Sequence, residues 1–261
     1  DDPLQAVDAS LVEEKRAEAY VELFRDPARA ARLANEALEA ARFTATATLE
    51  AHAALTLCLA RLFDEDEGAD SECVAGLESL VTRSVDPRAH WLMYDARALA
   101  LLRQGRAEEA LVELIRLMMS SADNRPARDC FLTIALLTQI HGALGNVAEG
   151  LGSAYRALSL ARRTGSISLR VYALILLGER QLEQHHLTVA RLAFEQALRG
   201  ARRAGSSYLE QRTLIGLIET AVADGEPEWA LDLAGVAGDL DRPTPALAES
   251  LALAYLANSR E

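Results

Sequence analysis

Lysine is almost missing from this sequence: Lys15 is the only one, and arginine supplies the rest of 27 basic side chains. That bias belongs to GC-rich coding and carries no function. Aromatic residues make up 5% of the chain and cysteines number three, Cys58, Cys73 and Cys130. An odd count at wide spacing excludes a disulfide framework and a zinc site. All three fall in apolar helical patterns, so we expect buried thiols in a reducing, cytoplasmic setting. No stretch approaches the ~20 apolar residues of a membrane span, and no signal-peptide pattern appears, so no membrane partner is expected. The formal net charge is −12, with no long basic run, which argues against direct contact with nucleic acid. Glycine-rich phosphate loops are absent, and the expectation is no cofactor.

What is present is a large apolar fraction, 50%, in a vocabulary of Ala, Leu, Arg and Glu that favours helices. It repeats. ALSLARRTGS at 157–166 and ALRGARRAGS at 197–206 share their ends at an offset of 40 residues. Gly105, Gly145 and Gly225 fall at multiples of that period, with His185 in the remaining slot. Small residues follow in the same phase at Ala110, Gly150, Ala190 and Ala230, with Ala30 upstream. Ala37, Leu77, Leu117, Ala157, Ala197 and Ala237 form a second column, so the register holds from about residue 30 to 238.

Each period reads as two helices joined by turns. Asp26-Pro27 and Asp86-Pro87 place an N-cap before a proline at the first helical position; Arg125-Pro126 and Glu226-Pro227 also mark helix starts. The pattern predicts helices at 8–24, 27–42, 44–63, 70–83, 87–104, 106–121, 126–144, 147–163, 167–184, 187–203, 206–223, 226–238 and 244–259. The helix at 70–83 is interrupted by Gly76. This is an all-α chain: an α-solenoid of about six antiparallel helix pairs plus a carboxyl-terminal capping helix, winding as a right-handed superhelix. Residues 1–261 are expected to form one repeat domain. The start at Asp1-Asp2-Pro3, without methionine, suggests a piece of a longer protein.

The run Leu174, Gly178, Gln181, then a turn, then Ala190, Phe194 and Ala197 resembles the tetratricopeptide repeat. Small residues in both helices of that family let the pair pack closely. Ala98, Gly178 and Cys58 occupy the small slot of the first helix and Thr138 is tolerated, while Ile218 departs from it. A 40-residue period is similar to the longer repeats in bacterial signalling proteins. These include the amino-terminal regions of GGDEF diguanylate cyclases and the MalT-like transcription regulators. The resemblance implies a protein- or peptide-binding module, the sensory or regulatory segment of such a protein. A stand-alone scaffold or chaperone-like adaptor and a MalT-like regulatory domain are the alternatives. No GGDEF-type string is present, so catalysis is expected only outside this sequence.

In repeats of this family the first helix of each pair lines the concave face. The 40-residue register projects His52, Leu92, Leu132, Tyr172 and Arg212 as one series there. Two others are Leu55, Asp95, Ala135, Ile175, Ile215 and Leu59, Leu99, Gln139, Glu179, Glu219. The polar members, His52, Asp95, Gln139, Tyr172, Glu179, Arg212 and Glu219, are the candidate ligand-contacting residues. A peptide or helix with apolar anchors and a basic group would suit them. Against this, Glu179 and Arg212 could pair with each other as neighbouring helices do. A homodimer through the terminal helices is the second expectation about partners, with Leu247, Leu251, Leu253 and Leu256 on the final helix.

Other features read as structural. His185-His186 lies in a turn without further ligands, and His141 sits on an apolar helix. Asp64-Glu65-Asp66-Glu67 with Asp70 and Glu72 lacks the spacing of a calcium loop and reads as a solvated acidic loop. Arg162-Arg163 and Arg202-Arg203 end second helices, where they face the negative pole of the helix dipole. Met118-Met119 with Leu114 and Leu117 reads as core, and Trp91 and Trp229 as packing anchors.

Overall fold

The computed structural model describes residues 9–44, 46–64, 74, 76–120, 125–238 and 245–258. Among them are thirteen helices and no strand. In chain order they are α1 (Ala9–Glu22), α2 (Pro27–Ala41), α3 (Ala47–Phe63), α4 (Glu78–Arg83), α5 (Pro87–Arg103), α6 (Ala107–Ser120), α7 (Ala127–Ala143), α8 (Val147–Thr164), α9 (Ile167–Glu183), α10 (Leu187–Ala204), α11 (Ser207–Ala223), α12 (Pro227–Gly238) and α13 (Pro245–Asn258). Apart from α4, the helices start and end close to the expected positions. Of the expected helix at 70–83, Glu78–Arg83 forms α4, six residues long, with Gly76 and Leu77 in a turn before it and Val74 helical; residues 70–73 and 75 lie outside the described residues. Cys73 and the acidic run after Asp64 lie outside the described residues.

The chain divides into two compact units, Asp1–Arg125 and Pro126–Glu261. In the first, α1, α2 and α3 pack on one another and α3 continues onto α4 and α5; α5 pairs with α6. Phe24 and Phe63 meet edge-on at 5.4 Å, closing the end of α1 against the end of α3. In the second, α7 pairs with α8, α9 with α10 and α11 with α12. The first helix of each pair also touches the first helix of the next: α7 with α9, α9 with α11, and α11 with α13.

The turns explain the repeat. Gly105, Gly145 and Gly225 have φ of 74°, 68° and 73°, and His185, in the fourth slot, has φ 56°. This left-handed residue closes the preceding helix. At Gly145 the amide donates to Gly142 O at 2.9 Å and the next amide, Asn146, donates to His141 O at 2.8 Å. His185 and His186 make the same pair of bonds to Leu182 and Gln181 at 2.8 and 2.9 Å, without the glycine that usually permits it. The shared Gly-Ser of the two ten-residue segments has a double duty. Gly205 ends α10 in the left-handed region, and the Ser206 hydroxyl accepts from Leu209 N at 3.1 Å to begin α11. Gly165 and Ser166 do the same for α8 and α9. Asp26 and Asp86 act as N-caps, each accepting a backbone N–H at 2.9 Å.

Burial separates the two helix types. Second helices expose one face and bury a narrow alanine stripe: Ala30, Ala34 and Ala37 on α2, and Ala190, Ala197 and Ala201 on α10, are all fully buried. First helices are buried over most of their circumference, as in Leu169–Gly178 of α9, where only Arg170 is exposed. In the second column, Ala37, Leu117, Ala157, Ala197 and Ala237 are buried, while Leu77 is half-buried in its turn. Two expectations fail. Met118 and Met119 are exposed, 43% and 84%, because the buried face of α6 runs through Ala107, Ala110, Leu114 and Leu117. Cys130 is only half-buried, whereas Cys58 is fully buried.

Phe194 of α10 accounts for the small slot. A Cβ on Gly178 of α9 would lie 2.7 Å from its ring, and one on Gly216 of α11 would lie 2.4 Å away. The ring is held between two glycines on successive first helices. The sequence register placed the third-pair slot at Ile218, which is itself buried; the residue that admits the ring is two positions earlier.

Candidate functional site

Five of the seven candidate residues lie in the second unit, and four of them form one connected set. Gln139 on α7 donates through Nε2 to the Tyr172 hydroxyl of α9 at 3.0 Å. Arg212 of α11 lies over the Tyr172 ring, 4.9 Å from its centroid, and donates to Glu179 Oε1 of α9 at 3.0 Å. Both hydrogen bonds join residues 33 apart. In α7 and in α9 the thirteenth residue is thus bonded to the sixth residue of the next first helix. The Glu179–Arg212 pair is the one the sequence offered as the structural alternative to a ligand site; the Gln139–Tyr172 bond, which joins the same two columns, was not foreseen.

Tyr172 is the platform: it is 1% exposed and meets Phe131 edge-on at 6.4 Å. Glu179 and Arg212 are partly open, with side chains 28% and 23% exposed. A pair of this exposure contributes at most about 1 kcal/mol. Burial works against the Arg212 charge, but Tyr172, Tyr208 and Glu179 outweigh it, so the guanidinium's pKa lies well above its ordinary value. The charge is fixed in place over an aromatic face.

Glu219 extends the set toward the carboxyl terminus. It accepts from the Ser250 hydroxyl of α13 at 3.4 Å. Although the residue is exposed, the protein packed beside its carboxyl raises the pKa, as do Glu179 and Glu249; the Ser250 hydroxyl opposes this. Together α7, α9 and α11 display an amide, an anchored guanidinium and two carboxylates on the layer where first helices meet. Such a surface can hold polar groups of a ligand by hydrogen bonds and charge.

The other two candidates belong to the first unit and are interior. Asp95 of α5 is 1% exposed, with Arg125 Nη2 at 3.7 Å from its carboxylate. Arg125 in turn lies over Trp91, 5.1 Å from the ring centroid. His52 of α3 is buried as well, with its Nε2 3.7 Å from Asp86 Oδ2. Their register position faces the packing of α3 and α5, where the preceding and following helices cover them.

Among the remaining features, Trp229 packs on the buried cluster of Leu214, Ile218 and Ala230. Arg191 stacks over it at 4.2 Å while bridging Asp224 and Glu226. His186 Nδ1 lies 2.9 Å from Gln181 Oε1, so that ring secures its own turn. His141 is half-buried, 3.4 Å from the Asn146 amide, and burial lowers its pKa against the pull of Glu149. Sequence reasoning missed Arg180. Its guanidinium fills the space over Gly142, where a Cβ would lie 1.1 Å from Nη1. It donates to Thr138 O at 3.3 Å and pairs with Glu183 at 2.8 Å. The signal was Gly142 itself, a glycine inside an otherwise apolar helix. Compared with models of known protein families and with curated proteins, the chain matches none.

Proposed function

We propose that the chain is a protein- or peptide-binding module of tetratricopeptide type. In this reading it is the sensory or regulatory segment of a bacterial signalling protein such as a diguanylate cyclase, and the catalytic step belongs to a domain outside this sequence. The hairpins of residues 126–261 are taken as turns of a right-handed α-solenoid whose first helices line the concave face. The reading rests chiefly on the connected polar set of Gln139, Tyr172, Arg212 and Glu179, extended by Glu219. Its preformed guanidinium and adjacent carboxylates suit a peptide that carries a basic side chain beside apolar anchors. Ile175 of the same layer is fully buried and Ile215 half-buried, so apolar anchors would meet at most the edge of Ile215, and charge and hydrogen bonding supply the selectivity. A homodimer through the terminal helices is part of the proposal, supported by Leu253 and Tyr255 of α13, 45% and 64% exposed.

The test is a selection of displayed random peptides on the native chain, followed by affinity measurement on the triple variant Glu179→Gln, Arg212→Gln, Glu219→Gln. We expect enriched peptides to carry Arg or Lys and to lose at least about tenfold in affinity, equivalent to 1.4 kcal/mol. Helicity by circular dichroism should stay unchanged. Enrichment of peptides that bind native and triple-variant chains equally would reject the surface.

A further inference from the structure

The first unit contains a titratable ring that its packing leaves half-satisfied. The His52 side chain is 5% exposed, and its Nε2 has no hydrogen-bond partner among the described residues. The nearest carboxylate oxygen, Asp86 Oδ2, stands 3.7 Å away, beyond hydrogen-bonding distance. Asp86 is committed elsewhere, since its Oδ1 caps α5 by accepting from Arg88 N at 2.9 Å. On the other side, Arg16 of α1 is itself buried and bound to Glu13, with Nε 2.8 Å from Oε2. The charges acting on the ring are therefore Arg16 and Glu13 from α1, and Asp86 and Arg88 from α5. They are two of each sign, and they balance around a neutral imidazole. A proton on His52 would leave one net positive charge in a closed space.

We propose that His52 is an acid-sensitive latch at the junction of α1, α3 and α5. Protonation of the ring opens this junction locally, with α1 swinging away first, while the second unit stays folded. α1 is the element to go because its departure hydrates the ring and removes the guanidinium of Arg16 from its side. The apolar contacts it gives up are Val12 against Ala37, Ala41 and Ala53, and Ala19 against Ala34 and Leu57.

The electrostatics agree in sign. Burial and then Arg16 depress the His52 pKa, with Arg88 adding to them; Asp86 and Glu13 pull the other way without winning. A group with a depressed basic pKa binds its proton more readily once exposed. Its contribution to stability is complete above pH ~6.5 and is lost as pH falls toward the folded-state pKa. In that window the closed-to-open constant shifts by up to about tenfold per pH unit, the limit for one linked proton.

The test is amide hydrogen exchange followed by mass spectrometry at pH 7.5 and 5.5, corrected for intrinsic rates, on the native chain and on His52→Gln. The glutamine keeps a neutral polar tip near the Nε2 position. We expect α1 amides of the native chain to lose protection severalfold on acidification, those of α9 to α11 to keep theirs, and His52→Gln to show no acid-dependent step in α1. Equal loss in both proteins, or loss spread evenly over both units, would overturn the latch. Should His52→Gln not fold, titration of the native His52 ring by NMR decides: a midpoint at or above pH 6.5 refutes the proposal, and a lower midpoint with matching α1 exchange supports it.

Discussion

Gly178→Ala should destabilise the native chain yet stabilise a chain that lacks the Phe194 ring. In an open helix, replacing glycine by alanine gains about 1 kcal/mol of helix propensity. At position 178 the new methyl would lie 2.7 Å from Phe194 ring atoms, and at 216 it would lie 2.4 Å away. The ring is fully buried and cannot step aside without moving α9 or α11. Overpacking of this kind costs roughly 1–3 kcal/mol, so the net effect of either alanine is a loss of up to about 2 kcal/mol. Phe194→Ala alone should cost about 3–5 kcal/mol, through lost burial and the cavity left behind. Once the ring is gone the clash is gone, and Gly178→Ala should then recover about 1 kcal/mol. The coupling between the two positions is the measured quantity. The chain has two tryptophans, Trp91 and Trp229, one in each unit. In a Trp91→Phe background, urea unfolding followed by Trp229 fluorescence reports the unit that contains Phe194, with circular dichroism as a check on cooperativity. If Gly178→Ala raises the midpoint with Phe194 in place, or shifts it equally in both backgrounds, the close approach of ring and glycine is not what sets the size of that residue.

Two other perturbations address different parts of the molecule. His185→Gly should raise stability by about 1 kcal/mol, because a left-handed φ strains any side-chain-bearing residue; thermal melting would register it. Arg125→Leu should cost about 3 kcal/mol or more by leaving the Asp95 carboxylate in the interior without that cation, and Asp95→Asn in the same background should return part of the loss. Unfolding monitored through Trp91 gives both values.

Helix boundaries were readable because their signals are local. A left-handed turn residue, an aspartate before proline, and a serine after glycine each act within four residues, so their chemistry survives in one dimension. The His185 slot was found only because three glycines shared its period. What failed was non-local. The register assigned the small slot to 218 by counting, whereas the Phe194 ring reaches across to Gly216 through the inclination of packed helices. Met118 and Met119 looked like core because apolar side chains at helical spacing do not declare which face meets a neighbour. His52 and Asp95 were polar residues on helices expected to line a surface, but both are interior, and the charges nearest them, Asp86 and Arg125, lie 34 and 30 positions downstream. The clustering of Gln139, Tyr172, Glu179 and Arg212 was visible as composition and the Glu179–Arg212 pair as an ordinary bridge between neighbouring helices; the Gln139–Tyr172 bond was not. Within 70–83 the pattern ran through the turn at Gly76 and Leu77, because Gly76 weighed less than the apolar residues around it.

The Gly205-Ser206 and Gly165-Ser166 junctions carry an evolutionary consequence. Each dipeptide finishes one helix and launches the next, so there is no slack at the seam. Adding or removing one residue there would separate the stop signal from the start signal and shift every downstream side chain around its axis. Duplication of a whole 40-residue segment leaves both signals adjacent. Growth of such a chain is therefore quantised: it can gain or lose complete hairpins far more readily than single amino acids at these seams.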